Sequence, residues 1–284
     1  MTAPVAGRGF GTRLADAVSA TGSLCAGIDP SPSLLSAWGL PDDAAGLRTF
    51  ALACVEGFAG VVPVVKPQVA FFERRGAAGY AVLEELLAAC RDAGLLTIAD
   101  AKRGDIDSTA AAYGEAWLAE GSPLAADAMT VHPYLGVGAL APVLERAASS
   151  GRGVFVVVRS SNPEGRFLQE ARVASGESVE DALLRQVGDI NRERGDPSGS
   201  VGVVVGATLE PSSYPLSLVG GPILAPGVGA QGATAADIAA RFSGCDLHTV
   251  LPSVSRSLLA AGPRPASLRR AAIRQRDEIA AVWA

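Results

Sequence analysis

Short apolar runs recur along the chain, and in most of the intervening segments the apolar residues follow a helical spacing. Most runs are continuously apolar instead of alternating, which is typical of parallel strands covered on both faces. They predict eight β-strands: Leu24–Ile28, Val61–Lys66, Leu95–Asp100, Ala128–His132, Val154–Arg159, Val201–Val205, Ile223–Ala225 and Thr249–Val254. Segments between them, such as Tyr80–Ala93 and Thr234–Phe242, are predicted to be helices.

Eight strands that alternate with helices over about 250 residues predict an α/β fold, the (β/α)8 TIM barrel. The alternative is a doubly wound open sheet, but eight strands and an N-terminal helix favour closure. No Pro/Gly/Ser-rich linker separates halves of different composition. We therefore expect residues 1–284 to form a single barrel domain with a short N-terminal helical extension.

The longest irregular region, about residues 160–200, follows the fifth predicted strand. It contains the turn signal Asn162-Pro163-Glu164-Gly165 and then a predicted helix over Asp181–Glu193. We interpret it as an elaborated connection and not as a second domain. Residues 270–284 are predicted to form a closing amphipathic helix, with the following arginines on its solvated face: Arg270, Arg274 and Arg276.

Composition narrows the class of protein. Hydrophobic residues make up 49% of the 284 residues and charged residues 19%, which predicts a large core and argues against disorder. With 24 basic and 29 acidic side chains, the net charge is −5, and no basic run indicates a nucleic-acid partner. An anionic small molecule stays compatible with this charge, because a few local cations can bind it.

Cysteine usage and the N-terminus predict a compartment. The four cysteines are far apart and show no CxxC spacing, so we expect free thiols in a reducing cytosol and neither a zinc site nor a disulfide framework. The first ten residues lack the apolar stretch of a signal peptide, and no apolar run reaches about 18 residues. These features predict a soluble, cytoplasmic protein without a membrane partner.

Charged residues suited to catalysis lie at the end of the third predicted strand and just after it, in residues 100–109. Asp100 and Lys102 are two apart, so on an extended strand end they project from the same face. Asp105 comes three residues after Lys102, and the two carboxylates could share its charge. The carboxyl ends of parallel strands are where α/β barrels place their chemistry. The alternative is a solvated charge cluster at the start of a helix.

Other predicted strand ends carry similar signals. Asp29 follows the first strand, Lys66 ends the second, and Arg159-Ser160-Ser161 follows the fifth. A glycine-rich turn, Pro226-Gly227-Val228-Gly229-Ala230-Gln231-Gly232, follows the seventh, and Ser255-Arg256 follows the eighth. Because barrels of this class bind phosphate after strands seven and eight, these two ends predict a phosphate site. A tight turn with a surface arginine is the alternative. For His132, a structural role is favoured over a place in the pocket.

The order of these residues resembles a known family. An Asp-x-Lys-x-x-Asp-Ile-x-x-Thr motif at 100–109, with Asp29, Lys66, the turn from Pro226 to Gln231, and Arg256, is similar to orotidine 5′-phosphate decarboxylases. The resemblance covers about residues 24–257, and the long fifth connection resembles the bacterial, mycobacterial-type branch. It implies decarboxylation of orotidine 5′-monophosphate (OMP) to UMP and CO2, the last step of de novo pyrimidine biosynthesis. It also implies that no metal or organic cofactor takes part.

The resemblance implies residue roles as well. Lys102 would donate a proton to C6 of the pyrimidine, Asp100 would lie beside the substrate carboxylate, and Lys66 and Asp29 would form a charge network that contacts the ribose. Further along the chain, Ser161, with Ser160 as the alternative, would contact the pyrimidine edge. Gln231 and Arg256 would bind the phosphate. Pro226 and Ser255 would be further substrate-binding positions. Shared dimer sites are also implied, in which three residues reach the partner subunit of a homodimer: Asp105, Ile106 and Thr109.

Two other functions stay open at this point. Sugar-phosphate enzymes of the same barrel superfamily share the Asp-x-Lys-x-x-Asp strand end but use Mg²⁺ with an added acidic ligand. Lys66, a cation at the end of the second strand, disfavours a metal there. The second alternative is a catalytically silent barrel that only binds a nucleotide phosphate, which could dispense with Lys102 or Asp100.

Overall fold

A computed structural model of the chain describes residues 8–196, 198–207, 213–228, 232 and 234–283. Its strands form a closed barrel in chain order, with every neighbouring pair parallel and β1 paired to β8. The strands are β1 (Cys25–Ile28), β2 (Val64–Pro67), β3 (Leu96–Arg103), β4 (Ala128–Val131), β5 (Gly153–Arg159), β6 (Val201–Val205), β7 (Ile223–Pro226) and β8 (Val250–Val254). The predicted (β/α)8 TIM barrel is therefore confirmed.

Helices precede the barrel and connect its strands. In the described ranges they are α1 (Phe10–Thr21), α2 (Pro32–Ala37), α3 (Ala44–Phe58), α4 (Ala70–Glu73), α5 (Gly76–Asp92), α6 (Asp107–Leu118), α7 (Ala141–Ser149), α8 (Arg166–Gln169), α9 (Val179–Arg194), α10 (Ala235–Arg241), α11 (Arg256–Leu259) and α12 (Pro265–Trp283). Helix α12 is longer than the predicted closing helix. On it, Arg270 and Arg274 are exposed and Arg276 is half-buried.

Two strand boundaries differ from the prediction in an informative way. β2 begins at Val64 and not at Val61, because Pro63 has no N–H to give to a ladder. β3 was expected to end at Asp100 but continues to Arg103, which pairs with Val131 of β4 across a register shift. The charged residues at its end are therefore part of the sheet, which fixes them more firmly than a loop would.

Helix α1 closes the N-terminal end of the barrel. Its Phe10 is fully buried and meets the ring of Phe155 edge to face, with centroids 5.9 Å apart. Leu14 and Val18 join the same core cluster inside the barrel. The Phe10 ring lies against Gly153, where a Cβ would collide with it. The predicted N-terminal helical extension is thus the floor of the barrel. That residues 1–284 form one domain stays a prediction.

The remaining connections follow the sequence patterns closely. In the long fifth connection, the predicted turn is a 3-10 helix over Pro163–Gly165, and α9 begins where Ser178 caps the backbone N–H of Asp181 at 3.0 Å. All four cysteines are free thiols. None of the described helices is long and apolar enough to cross a membrane.

Candidate active site

A cavity of about 300 Å³ opens at the C-terminal end of the barrel. Eight of the predicted site residues line it, and they come from both ends of the chain: Asp29, Lys66, Asp100, Lys102, Ser161, Pro226, Ser255 and Arg256. Strand ends separated by more than 200 residues thus converge on one space, as the closed barrel requires. The same cavity combines these charged groups with four apolar lining residues: Val157, Val204, Leu224 and Val228.

Asp100 is the centre of the charged groups. Its Oδ2 accepts a hydrogen bond from Lys66 Nζ at 2.9 Å, and its Oδ1 accepts one from Lys102 Nζ at 2.5 Å. Asp100 and Lys66 are each only 7% exposed, whereas the Lys102 side chain is 41% exposed. One buried carboxylate therefore holds a buried ammonium on one side and directs a second, more accessible one toward the cavity.

The charge states of this cluster follow from mutual compensation. Burial alone would raise the pKa of Asp100, but the ammonium groups of Lys66 and Lys102 outweigh it and hold that pKa well below its usual range. Burial would likewise lower the pKa of Lys66, yet the carboxylates of Asp100 and Asp29 raise it above its ordinary value. Asp100 is therefore anionic and Lys66 cationic at neutral pH.

Lys102 has a backbone that strand geometry alone does not predict. Its φ of +46° lies in the left-handed region, which residues with a Cβ adopt rarely. Lys102 and Asp100 are in contact, but the predicted cause of that contact, an extended strand that points both side chains to one face, is wrong. They meet because the chain turns at Lys102, and such strain is found mainly where a surrounding structure enforces it.

Two buried oxygens of residues that line the cavity lack partners among the described residues. Asp29 Oδ1 and Ser255 Oγ are buried and make no hydrogen bond with the described residues. Ser255 lies directly against β1, where a Cβ on Gly27 would come within 2.6 Å of the Ser255 Cβ. Buried oxygens without partners are costly in a closed protein, so their position in a cavity indicates that a bound molecule supplies the missing hydrogen bonds.

The predicted phosphate end is partly described. Gly227, with φ +112°, turns the chain after β7 and lines the cavity together with Arg256, the first residue of α11. The Arg256 side chain makes no ion pair with any described residue. Gln231 and Gly229 of the predicted phosphate site lie outside the described residues. Backbone N–H groups and a guanidinium at one end of a cavity can bind an anion.

The fifth connection enters the cavity through Ser160 and Ser161. Ser160 is already engaged in its own turn, where its Oγ donates to Asn162 Oδ1 at 2.6 Å and accepts from Gln169 Nε2 at 2.9 Å. Before it, Arg159 lines the cavity and donates to the buried Glu180 at 2.6 Å. These bonds hold the start of the connection in place at the mouth of the cavity.

Three predicted site residues do not line this cavity. Asp105, Ile106 and Thr109 lie beyond β3, and Ile106 and Thr109 are exposed. Asp105 accepts a hydrogen bond from the backbone of Ile106 and makes no ion pair with the described residues, so the expectation that it shares Lys102 with Asp100 within one chain is wrong. Asp105 is half-buried and follows the turn at Lys102. His132 does not line the cavity either.

Sequence reasoning missed several contributors. Gln68 and Ser253 line the cavity, and Gln68 forms an isolated bridge with Asp100. Gln68 could have been found, because it lies two residues beyond Lys66 at a strand end. Ser253 lies inside a predicted strand and only closure of the barrel shows which way it faces.

Comparisons with known proteins agree with this geometry. A model of the orotidine 5′-phosphate decarboxylase / HUMPS family matches residues 22–271. The chain is 54% identical over 265 residues to an orotidine 5′-phosphate decarboxylase of Salinispora arenicola, covering 93% of this chain and 95% of that protein. It is 52% identical over 263 residues to one of Corynebacterium efficiens, covering 92% and 93%.

A solved structure agrees over the same length. The crystal structure of a Streptomyces avermitilis protein, provisionally described as an orotidine 5′-phosphate decarboxylase, superposes with a TM-score of 0.94 at 49% identity. The match covers 98% of this chain and 97% of that one. A match of this length spans the whole barrel and every strand end that lines the cavity. The chain therefore belongs to the orotidine 5′-phosphate decarboxylase / HUMPS family.

Proposed function

We propose that this protein decarboxylates OMP to UMP and CO2, the last step of de novo pyrimidine biosynthesis, without a metal or organic cofactor. The observation that carries the proposal is Asp100 held between Lys66 and Lys102 in a cavity that Arg256 also lines. The names of the similar proteins from Salinispora and Corynebacterium support the same substrate.

The proposed chemistry needs a cation at the reacting carbon. Cleavage of the bond between C6 and the carboxylate releases CO2 and leaves the electron pair on C6, where the pyrimidine ring delocalises it poorly. The Lys102 ammonium stabilises this charge as it develops and then donates its proton to C6, forming UMP. The amine of Lys102 regains a proton from solvent. Asp100 and Lys66 keep Lys102 in place for both tasks.

The other end of the cavity would bind the rest of the nucleotide. In this proposal Arg256, with Gln231, Pro226 and Ser255, binds the phosphate, and Asp29 and Lys66 contact ribose hydroxyls. Ser161 reads the edge of the pyrimidine. The phosphate is remote from C6, so its binding energy can order the site and position the reacting carbon.

A metal-dependent reaction is disfavoured by the charges that surround Asp100. Both of its oxygens accept hydrogen bonds from lysine ammonium groups, so a Mg²⁺ ion would have to displace one of them. Lys66 is buried beside the same carboxylate and would repel a divalent cation. In this proposal the ammonium groups of the protein, and not a metal ion, provide the positive charge beside Asp100.

We also propose a cytoplasmic homodimer in which Asp105, Ile106 and Thr109 complete the partner's active site. The exposure of Ile106, which is 50% exposed, and of Thr109 supports this, because residues that complete a partner's site must be accessible on their own subunit. Tyr134 and Leu135, after the neighbouring strand β4, are also exposed apolar residues. These exposed apolar side chains follow β3 and β4, which are neighbouring strands of the barrel.

One assay tests the reaction. The ultraviolet absorbance of OMP is followed with the purified protein in excess EDTA, and then with added Mg²⁺. We expect turnover that is unchanged by either addition. The absence of turnover, or turnover that requires Mg²⁺, would falsify the proposed function and would favour the sugar-phosphate alternative.

Complementation tests the shared site. Lys102→Ala and Asp105→Ala proteins are each expected to be inactive, but mixing them under conditions of subunit exchange should restore activity at one of the two sites in each heterodimer. A mixture that exchanges subunits and stays inactive would show that Asp105 does not act across the interface.

A further inference from the structure

Thr130 on β4 lies outside the cavity, behind the two residues that the proposed reaction uses most. It is 1% exposed. Its Oγ1 accepts a hydrogen bond from the backbone N–H of Lys102 at 3.0 Å and donates one to Asp100 Oδ1 at 2.9 Å. One hydroxyl therefore contacts both the backbone of the strained lysine and the carboxylate that its ammonium binds.

This arrangement addresses a specific structural problem. The positive φ of Lys102 removes its N–H from the regular ladder at the point where the pairing of β3 with β4 shifts register. A buried N–H without a partner is unfavourable, and Thr130 supplies that partner from the neighbouring strand. At the same time its O–H fixes the orientation of the Asp100 carboxylate, which in turn binds Lys102 Nζ. Thr130 Oγ1 therefore fixes the backbone of Lys102 directly and its ammonium group through Asp100.

We propose that Thr130 is a positioning residue of the reaction, whose hydroxyl sets the direction of the Lys102 ammonium through the Lys102 backbone and Asp100. It touches no substrate. The inference rests on the proposed function, because it concerns how Lys102 reaches C6. Loss of the hydroxyl would leave the phosphate end unchanged and would let Lys102 leave its left-handed conformation, so the chemical step suffers and nucleotide binding does not.

The chain contains a closely matched control. Thr97 on β3 is also 1% exposed, and its hydroxyl also accepts from a backbone N–H, that of Asp127 at 3.1 Å, and donates to a carboxylate, Asp127 Oδ2 at 3.2 Å. Thr97 does not line the cavity. Replacing either threonine by valine removes the same two hydrogen bonds at nearly constant volume, so the two variants differ in location and not in chemistry.

The experiment measures kcat and KM for OMP, UMP affinity and thermal stability for wild type, Thr130→Val, Thr130→Ser and Thr97→Val. We expect Thr130→Val to lower kcat at least about tenfold, as for loss of one hydrogen bond to a charged group, with KM and UMP affinity within about threefold. Thr130→Ser keeps the hydroxyl and should have kcat within about threefold of wild type. Thr97→Val should lose stability and keep its kcat.

Three results would overturn the positioning role. They are equal kcat values in Thr130→Val and wild type, a Thr130→Ser variant as impaired as Thr130→Val, and a Thr130→Val protein that does not fold although Thr97→Val does. The last would make Thr130 a structural residue. Failure of the proposed function is recognisable separately, because then wild type itself does not turn over OMP, and both proposals fall.

Discussion

The two ends of the barrel contain the same ionic arrangement with opposite degrees of closure. At the N-terminal end, Asp127 binds Arg13 at 2.6 Å and Arg152 at 3.4 Å and accepts from the Thr97 hydroxyl. At the C-terminal end, Asp100 binds Lys66 and Lys102 and accepts from Thr130. Each end thus places one buried aspartate between two cations and a threonine.

What surrounds the cations differs. Arg13 and Arg152 each donate a further hydrogen bond to a backbone carbonyl, of Gly151 and Ala126 respectively, and α1 covers the barrel floor beside them. At the other end the Lys102 side chain is 41% exposed, and two buried oxygens of other cavity-lining residues make no hydrogen bond with the part of the chain that the structure describes. A charge cluster whose hydrogen bonds are complete stabilises the fold, and one left incomplete at a cavity is available to a ligand.

The largest difference between the two ends should appear on removal of one cation from each. Lys102→Ala is expected to lower kcat at least about 10⁴-fold, because it removes both the electrostatic stabilisation and the proton donor, while UMP still binds. Arg13→Ala is expected to keep kcat within about threefold and to lower the melting temperature. The measurements are steady-state rates, UMP titration and thermal unfolding. Near-native turnover in Lys102→Ala would refute its assignment as proton donor.

A second comparison tests Arg256, which forms no ion pair with the described residues, against Arg152, which pairs with Asp127. Arg256→Ala should raise the KM for OMP about 100-fold or more, because charge-assisted bonds to a phosphate are lost. Arg152→Ala, which breaks a protein contact instead, should leave KM unchanged. Initial rates over a range of OMP concentrations distinguish the two. A KM unaffected by loss of Arg256 would place the phosphate elsewhere.

The third comparison concerns stability. Asp127→Ala is expected to lower the free energy of unfolding by about 3–5 kcal/mol, because two cations lose a buried carboxylate, while the folded fraction keeps its kcat. The matched control is Asp16→Ala on α1, which breaks only an exposed pair with Arg8 and should cost less than about 1 kcal/mol. Urea unfolding at pH 7 gives both values. Equal losses would show that the buried carboxylate of Asp127 stabilises the fold no more than the exposed one of Asp16.

The smallest expected effect is that of pH. The pKa of Asp100 lies below its ordinary 3.8, so its ionisation stabilises the fold above that value and this contribution is lost as pH falls through the folded pKa. The pKa of Lys66 lies above its ordinary 10.5, so its contribution is present below 10.5 and is lost as pH rises through the folded pKa. Neither group titrates between about pH 5 and pH 9.

We therefore expect that titration of Asp100 and Lys66 does not change kcat, measured at saturating OMP, between about pH 5 and pH 9. The test is a kcat–pH profile of wild type, with His132→Asn as the control. The pKa of His132 is lowered by its burial and by the Lys102 ammonium, and the His132→Asn variant removes this titratable group from the profile. An acidic limb that persists in His132→Asn would show that the lysine–carboxylate cluster is less tightly coupled than its distances indicate.

Much of the fold was accessible from the sequence because burial on both faces leaves a simple pattern. β6 was predicted with the same bounds as observed, Val201–Val205, from an unbroken apolar run. The site was accessible for a related reason, since strand ends are where apolar runs stop and barrels converge. Asp29, Lys66, Asp100, Lys102 and Arg256 were found in this way.

What was missed depends on geometry that no local pattern encodes. The left-handed turn at Lys102 arises from a register shift between two strands, and a sequence shows neither strand's register. Thr130 looks like any β-branched residue in a strand until its partners across the sheet are known. Likewise Asp105 follows that turn and accepts from the Ile106 backbone, so motif spacing alone suggested a contact with Lys102 that the described residues do not make.

The aromatic floor of the barrel bears on where this protein can be cut. The family match begins at residue 22, after the whole of α1. A fragment trimmed to the match would leave the space beside Gly153 empty and expose the Phe155 ring to water from below. The limits of the family model and the limits of the filled barrel therefore differ. A fragment made for expression or for grafting a new site onto this scaffold should therefore include Phe10, whose ring fills the barrel floor.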